Sequence, residues 1–77
     1  MTKDRHFLRA WREHRQVTQS QLAAAVDTTG AVIALLESGD RTLTEKWLRR
    51  LSPALGVKPG FLLKVDPTAE RWDLREV

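Results

Sequence analysis

The fold is decided by residues 17–39, which read VTQSQLAAAVDTTGAVIALLESG. Thr18 with Gln21 three residues later is the pattern of a capping box, in which each side chain bonds the backbone amide of the other residue at the start of a helix. Apolar residues then recur at helical spacing as far as Val26. The pattern predicts a helix that begins at about Gln19 and ends near Val26.

A second short helix is predicted directly after this one. Residues 27–29 provide Asp and Thr side chains that can cap a helix from within a short turn. Ile33 and Leu36 are spaced to share one face of the helix, and Gly39 is suited to end it. Two short helices joined by a tight turn are the layout of a helix-turn-helix unit.

Three more helices are predicted around this pair, from apolar residues at helical spacing and from capping residues. The first covers residues 3–15, the fourth begins after Thr44, and the fifth begins at Pro59. Pro53 has no amide proton and crowds the carbonyl four residues before it. It therefore predicts a kink or an early end of the fourth helix near residues 49–52.

The composition is that of one small helical domain. The chain has 77 residues and no cysteine, with 42% hydrophobic and 30% charged residues. No apolar run approaches the roughly 20 residues that a membrane-spanning helix requires. We therefore expect an all-α, five-helix domain over residues 1–64, a short C-terminal tail over residues 65–77, and a cytoplasmic protein that needs no metal or cofactor.

Charge is distributed unevenly along the chain. The net charge is +3, but residues 17–40 contain three acidic residues and no basic one, whereas residues 41–64 contain six basic residues and one acidic residue. Residues 1–16 are also basic, with five basic and two acidic residues. Basic segments of this kind suit a polyanionic partner such as double-stranded DNA.

Together these elements resemble the Cro/C1-type (XRE-like) helix-turn-helix family of phage and bacterial repressors. The resemblance covers about residues 7–63, with three elements at the family's spacing. It implies a lambda-repressor-like fold and a bacterial or phage, nucleoid-associated transcription regulator. Members are usually dimers that lay the third helix in the major groove of an operator and the second across the DNA backbone. The three elements are Gln19-x-x-Leu22-Ala23, Ile33-x-x-x-Glu37-x-Gly39 and Leu55-Gly56-Val57.

The same resemblance implies which residues contact DNA. Those at the start of the second helix would meet phosphates, threonines in the turn would meet the backbone or a thymine methyl group, and those after the third helix would hold the next phosphates. Arg12 and Glu37 match a buried pair of the family and are expected to form a structural ion pair. The implied DNA-binding residues are Gln19, Ser20, Thr28, Thr29, Gly30, Ala31, Ala34, Ser38, Arg41 and Thr42.

The chain departs from the family on the outward face of the third helix. Helical geometry, at about 100° per residue, puts Ala31, Ala34, Leu35 and Ser38 on that face. Family members commonly present Gln, Arg, Ser or Asn there, because their hydrogen bonds distinguish the base pairs. Asp27 also replaces the glycine that is usual in the turn, and it tolerates a left-handed conformation less well.

Two explanations of the outward face remain open. In the first, the chain binds DNA through methyl contacts, and its specificity depends on phosphate geometry and DNA deformability. In the second, Leu35 and its neighbours form a protein interface, and the domain is a co-regulator or an antitoxin-like partner. The absence of basic residues from 17–40 favours the second explanation, whereas the basic residues on either side favour the first.

The remaining aromatic and basic residues have ordinary structural interpretations. Trp11 and Trp47 are spaced with leucines, which favours core positions over an aromatic platform for nucleic acid. Residues 49–50, both arginine, fit a solvated helix face better than a phosphate clamp. Trp72 and Leu74 are candidate contacts in a homodimer or a heterodimer with another regulator, with loose packing on the same chain as the alternative.

An enzyme is not expected. The sequence contains no cysteine nucleophile and no glycine-rich phosphate loop, and its serines have no histidine or acid at a spacing that indicates a base. One domain of this size also leaves little room for an enclosed pocket. We therefore expect neither catalysis nor a small-molecule ligand.

Overall fold

The structure, a computed structural model, describes residues 6–68. Within that range the chain forms five helices and no strand, so the predicted all-α, five-helix fold is confirmed. The predictions for Trp72 and Leu74 lie outside the described residues. The helices are α1 (Leu8–His14), α2 (Gln19–Ala25), α3 (Gly30–Ser38), α4 (Glu45–Leu55) and α5 (Pro59–Lys64).

Threonine side chains fix where three of the helices begin. The Thr18 hydroxyl accepts a hydrogen bond from the Gln21 amide at 3.0 Å, and the Gln21 side chain accepts one from the Thr18 amide at 2.9 Å, so the capping box is complete. Thr29 and Thr44 cap α3 and α4, each accepting from the amide three residues later. Each cap stabilises its helix by about 1 kcal/mol. The local sequence therefore sets these helix starts.

Residues in the left-handed conformation end two of the helices and occupy the turn between α2 and α3. Gly39 (φ 86°) ends α3 and Gly56 (φ 69°) ends α4. Asp27 adopts the same conformation, with φ 59°, in the turn between α2 and α3. This conformation crowds the β-carbon of any residue other than glycine, so the turn carries the local strain that its sequence indicates.

The first helix is shorter than the sequence predicts. The predicted start at residue 3 is wrong, because His6 and Phe7 precede the helix and α1 begins at Leu8. The Phe7 amide instead donates to the carbonyl of Leu62 in α5 at 2.6 Å. The start of α1 is therefore set by a contact with a distant helix, and periodicity within the segment gives no sign of it.

Pro53 does not end α4 early, contrary to prediction. The helix continues to Leu55 and closes at Gly56, whose amide donates to the Pro53 carbonyl at 3.1 Å. A proline in the last turn removes only one backbone hydrogen bond. Leu51 and Leu55 are buried in the core on either side of it. The packing of these leucines therefore outweighs the local effect of the proline.

The core draws residues from all five helices. Trp11 is fully buried, and its indole nitrogen donates to the carbonyls of Phe61 at 3.0 Å and Val65 at 2.8 Å. Helix α3 contributes Ile33 and Leu36 to this core, with Val32 packed against it, and its opposite face is left at the surface. The other buried hydrophobic residues are Leu8, Leu22, Ala23, Val26, Leu48, Leu51, Leu55, Phe61 and Leu62.

The helices are all short. Among residues 6–68, none combines the length and the apolar content that crossing a bilayer would require.

Candidate nucleic-acid interface

The starts of α2 and α3 lie side by side. Gly30, the first residue of α3, is so close to Ser20 of α2 that a β-carbon at Gly30 would lie 3.4 Å from the Ser20 Oγ and 3.8 Å from its amide nitrogen. Gln19 and Thr29 adjoin these residues in sequence, so four of the implied DNA-binding residues come together. The first amides of a helix have no partner within the helix and attract anions. Two such helix starts are therefore neighbours here.

The outward face of α3 consists mostly of hydrocarbon. Ala31, Leu35 and Ser38 are exposed and Ala34 is half-buried, with Leu35 retaining 43% of its accessible surface. The Ser38 hydroxyl is engaged within its own turn, 3.1 Å from the Leu35 carbonyl and 2.8 Å from the Asp40 carboxylate. The face therefore offers methyl groups to a partner in preference to hydrogen-bonding groups.

A buried ion pair joins α1 to α3. The Arg12 guanidinium donates to both oxygens of the Glu37 carboxylate, from Nε at 2.5 Å and from Nη2 at 3.2 Å. Its Nη1 donates to the Val17 carbonyl at 2.8 Å. The side chains of Arg12 and Glu37 are only 11% and 4% exposed. Because the carboxylate is buried and paired, Glu37 adds no uncompensated negative charge to the surface of α3.

The side chain of Gln19 is bonded within the protein, whereas the sequence predicts that this residue contacts a phosphate. Its amide nitrogen donates to Glu37 Oε1 at 3.0 Å, and the residue is half-buried. The carboxylate of Glu37 is therefore held by Arg12 from α1 and by Gln19 from α2. This network fixes the orientation of α3 relative to α2. The backbone amide of Gln19, at the start of α2, is the group of this residue that is suited to meet a phosphate.

Two arginines stack on one indole beside α3. The Arg50 guanidinium carbon lies 4.4 Å from the centroid of the Trp47 ring, and that of Arg41 lies 5.6 Å from it. Arg50 also donates to the carbonyls of Val26 and Asp27, which ties α4 to the turn between α2 and α3. Arg41 is exposed in the loop after α3. Such cation–π contacts restrict the side chain of Arg41 without burying its charge.

Sequence reasoning missed Trp47 and Arg50 as parts of this surface. The prediction that Arg50 lies on a solvated helix face is wrong, because the residue is half-buried and bonded to the turn. The spacing of three residues between Trp47 and Arg50 was the available signal, since it puts them on one helix face. Arg49, by contrast, is exposed and pairs with Glu45 at 2.5 Å.

Two further predicted residues lie at the borders of the surface. Thr28 is half-buried in the turn, where its amide donates to the Ala23 carbonyl at 2.9 Å. Thr42 is exposed beside Arg41 in the loop after α3. The structure therefore gathers the implied DNA-binding residues along α3 and the segments at its two ends.

A second surface feature lies away from these residues. An open groove of about 340 Å³ at the junction of α4 and α5 has no lining residue from α2 or α3. The lining residues of the groove are Pro53, Gly56, Val57, Lys58 and Phe61.

In residues 6–68, no group of three His, Cys, Asp or Glu side chains is arranged to hold a metal ion.

The turn after α5 contains a carboxylate with a shifted pKa. The Thr68 hydroxyl and the Thr68 amide donate to the Asp66 carboxylate at 2.6 and 2.9 Å, and these bonds hold the pKa of Asp66 below its usual value of 3.8. This carboxylate is not one of the residues gathered around α3.

Comparisons with known proteins bear on this arrangement. A family model described as "Helix-turn-helix domain" matches residues 5–62. Among solved structures, the crystal structure of the clp gene regulator ClgR from C. glutamicum is similar, with 26% sequence identity and a TM-score of 0.72. The similarity covers 83% of this chain and 86% of the ClgR chain. No curated protein sequence matches the chain.

Proposed function

This chain belongs to an XRE-like helix-turn-helix family, and from that premise we propose that it is a DNA-binding transcriptional regulator without enzymatic activity. More specifically, it acts as a repressor that occupies a roughly palindromic operator as a dimer. The observation that carries the proposal is the contact between Gly30 and Ser20, which sets the starts of α2 and α3 together while the outward face of α3 stays exposed.

The shape of this surface suits the major groove of DNA. An α-helix with its side chains is about 10–12 Å across, and the major groove is about 12 Å wide. Small residues at the tip, Gly30 and Ala31, allow the backbone of α3 to approach the bases closely. The start of α2, beside Gly30, then lies against the sugar-phosphate backbone at the edge of the groove.

The charges of the surface also support DNA binding. Arg41 and Arg50 lie outside the acidic segment of residues 17–40. In the fold, however, Arg41 lies just after α3 and Arg50 contacts the turn before it. Arg41 is exposed and is oriented by Trp47, so it is positioned to hold a phosphate after α3. Glu37, which contributes to the acidic balance of residues 17–40, is neutralised by its buried pair.

The proposed dimer sets a geometric requirement on the operator. Two copies bound to one face of the duplex would place their α3 helices about 34 Å apart, which is one turn of DNA, and would require half-sites related by two-fold symmetry. Residues 65–77, with Trp72 and Leu74, are the proposed contact with the second copy or with another regulator. Residues 1–64 are then the DNA-binding part.

Selection of bound fragments from random duplex DNA tests the proposal. The full chain is incubated with the duplex pool at near-physiological salt, and bound molecules are recovered and sequenced. The proposal predicts one enriched motif with two-fold symmetry. An enriched motif without symmetry would contradict the dimer but not DNA binding, and failure of every duplex to bind even at low salt would contradict DNA binding itself.

A second candidate function is suggested by Leu35, a large apolar residue that is 43% exposed on a hydrocarbon face. On this alternative α3 binds a protein, and the domain is a co-regulator or an antitoxin-like partner. Leu35→Arg distinguishes the two. If α3 binds a protein, the charge abolishes that association while the helical circular dichroism spectrum is unchanged. If α3 binds DNA, the variant retains or strengthens non-specific DNA binding.

A further inference from the structure

Three polar side chains on or near the outward face of α3 already have partners within the chain. The Thr29 hydroxyl accepts from the Val32 amide at 3.3 Å, and the Gln19 side chain donates to Glu37 at 3.0 Å. The Ser38 hydroxyl is engaged by the Leu35 carbonyl and by Asp40, as described above. What the face presents freely is the carbon of Ala31, Ala34 and Leu35.

A hydrocarbon face meets one matching group in the major groove. The base edges there carry nitrogen and oxygen donors and acceptors, and the C5-methyl group of thymine is the exception. Covering a polar base edge with Leu35 removes water from that edge without replacing its hydrogen bonds, which disfavours G·C pairs. Covering a methyl group buries apolar surface on both partners. The face therefore disfavours polar base edges, whose hydrogen bonds it cannot replace, and favours methyl groups, which it can bury.

Charges beside the face favour DNA as the occupant. Arg41 is exposed at the end of α3, and Trp47 stacks on it. Arg50 stacks on the same Trp47 ring and donates to the carbonyls of the turn before α3. The outward face of α3 is apolar, and neither arginine beside it is paired with a buried carboxylate of residues 6–68. This combination matches a groove that is lined by methyl groups and flanked by phosphates. A purely apolar protein surface would leave these charges without a partner.

We propose that α3 recognises C5-methyl groups in the major groove, and that this chain selects DNA by its pattern of methyl groups instead of by hydrogen bonds to base edges. The inference rests on the proposed DNA-binding function. Thymine is one source of this group, and 5-methylcytosine presents the same methyl at the same ring position. Each methyl buried against α3 strengthens binding about fourfold, from the transfer free energy of one methylene-sized group.

The test compares duplexes that differ only in the methyl group. Binding of the full chain is measured by fluorescence anisotropy for the alternating copolymers poly(dA-dT) and poly(dA-dU), and for a G·C oligonucleotide duplex with cytosine or with 5-methylcytosine. The hydrogen-bonding groups within each pair of duplexes are identical. We expect the methylated member to bind about fourfold more tightly for each contacted methyl, with the same salt dependence for both members.

Two leucine variants assign the effect to α3. Leu35→Gln replaces exposed hydrocarbon with an amide and should bring the ratio of thymine to uracil affinities towards one. Leu63→Gln in α5 is the matched control, because Leu63 is 40% exposed and Leu35 is 43% exposed, and it should leave the ratio unchanged. Retained helical circular dichroism establishes that each variant is folded.

The possible outcomes separate the inference from the function on which it rests. Equal affinity for the thymine and uracil copolymers overturns methyl recognition and leaves DNA binding intact. A preference that Leu35→Gln does not alter overturns the assignment to α3. Failure of the chain to bind any of these duplexes at low salt contradicts the proposed function, and the inference with it.

Discussion

Helix α3 has two sides that differ in chemistry. On the inward side, Ile33 and Leu36 are fully buried and Glu37 is 4% exposed, held by an arginine from α1 and a glutamine from α2. On the outward side, Ala31 and Leu35 are exposed hydrocarbon. The inward side is specified by contacts within the chain, whereas the outward side is exposed and, in the proposed function, meets a partner. One helix of nine residues would then separate the determinants of stability from those of recognition.

The largest effect is expected from breaking the polar contact on the inward side. Glu37→Ala leaves the buried Arg12 guanidinium without its counter-charge, and loss of one member of a buried pair typically costs about 3–5 kcal/mol. The measurement is the free energy of unfolding in urea. Glu45→Ala is the control, because the Glu45–Arg49 pair is 74% exposed on both sides and should contribute less than about 1 kcal/mol. Equal losses in the two variants would contradict a stabilising role for the Arg12–Glu37 pair.

Two adjacent leucines test the difference between the sides directly. Leu36→Ala removes a fully buried side chain and should lower the free energy of unfolding by about 2–5 kcal/mol. Leu35→Ala truncates a side chain that is 43% exposed and should change it by less than about 0.5 kcal/mol. Thermal and urea unfolding of both variants provide the measurement. Similar destabilisation by the two would mean that Leu35 also supports the fold.

A smaller effect, on binding alone, is expected at the end of the outward side. Arg41→Ala removes one phosphate contact, so it should weaken binding to all duplexes alike, by roughly tenfold at about 0.1 M salt. The slope of log K against log salt should fall by about 0.9. Lys58→Ala removes the same charge from an exposed position at the start of α5 and should have little effect. Loss of preference for one base only, with an unchanged slope, would contradict the phosphate contact.

The smallest effect concerns an exposed carboxylate, in contrast to the buried Glu37. The pKa of Asp66 is lowered by the Thr68 hydroxyl and amide, so its contribution to stability is present above the pKa of the unfolded chain and is lost as pH falls through the lower pKa of the folded chain. Carbon-detected NMR titration should place this pKa below 3.8. Thr68→Ala removes the hydroxyl and should raise it. An unchanged pKa in the variant would remove the hydroxyl as the main cause.

Much of the fold was predictable because its determinants are local. Thr18, Thr29 and Thr44 cap their own helices, and Gly39 and Gly56 end them, so each signal lies within a few residues of the boundary that it sets. Helical spacing identified the outward face of α3 for the same reason. The five-helix architecture follows from adding these local signals together.

What could not be predicted depends on contacts between distant segments. The position of the Gln19 side chain is determined by Glu37, which lies 18 residues later. Arg50 reaches the carbonyl of Val26, 24 residues earlier, and so becomes part of the surface beside α3. The persistence of α4 beyond Pro53 also requires knowledge of the core. Periodicity within one element contains no information on such contacts.

In the proposed function, the outward face of α3 enters the major groove while the start of α2 and Arg41 meet the flanking phosphates. The most direct measurement is a titration of the ¹⁵N-labelled full chain with duplex DNA at low salt, followed by amide NMR shifts. We expect the largest changes on residues 19–20, residues 29–35 and Arg41, with residues 53–61 nearly unaffected. Changes confined to the α4–α5 groove, or none with any duplex, would contradict this arrangement.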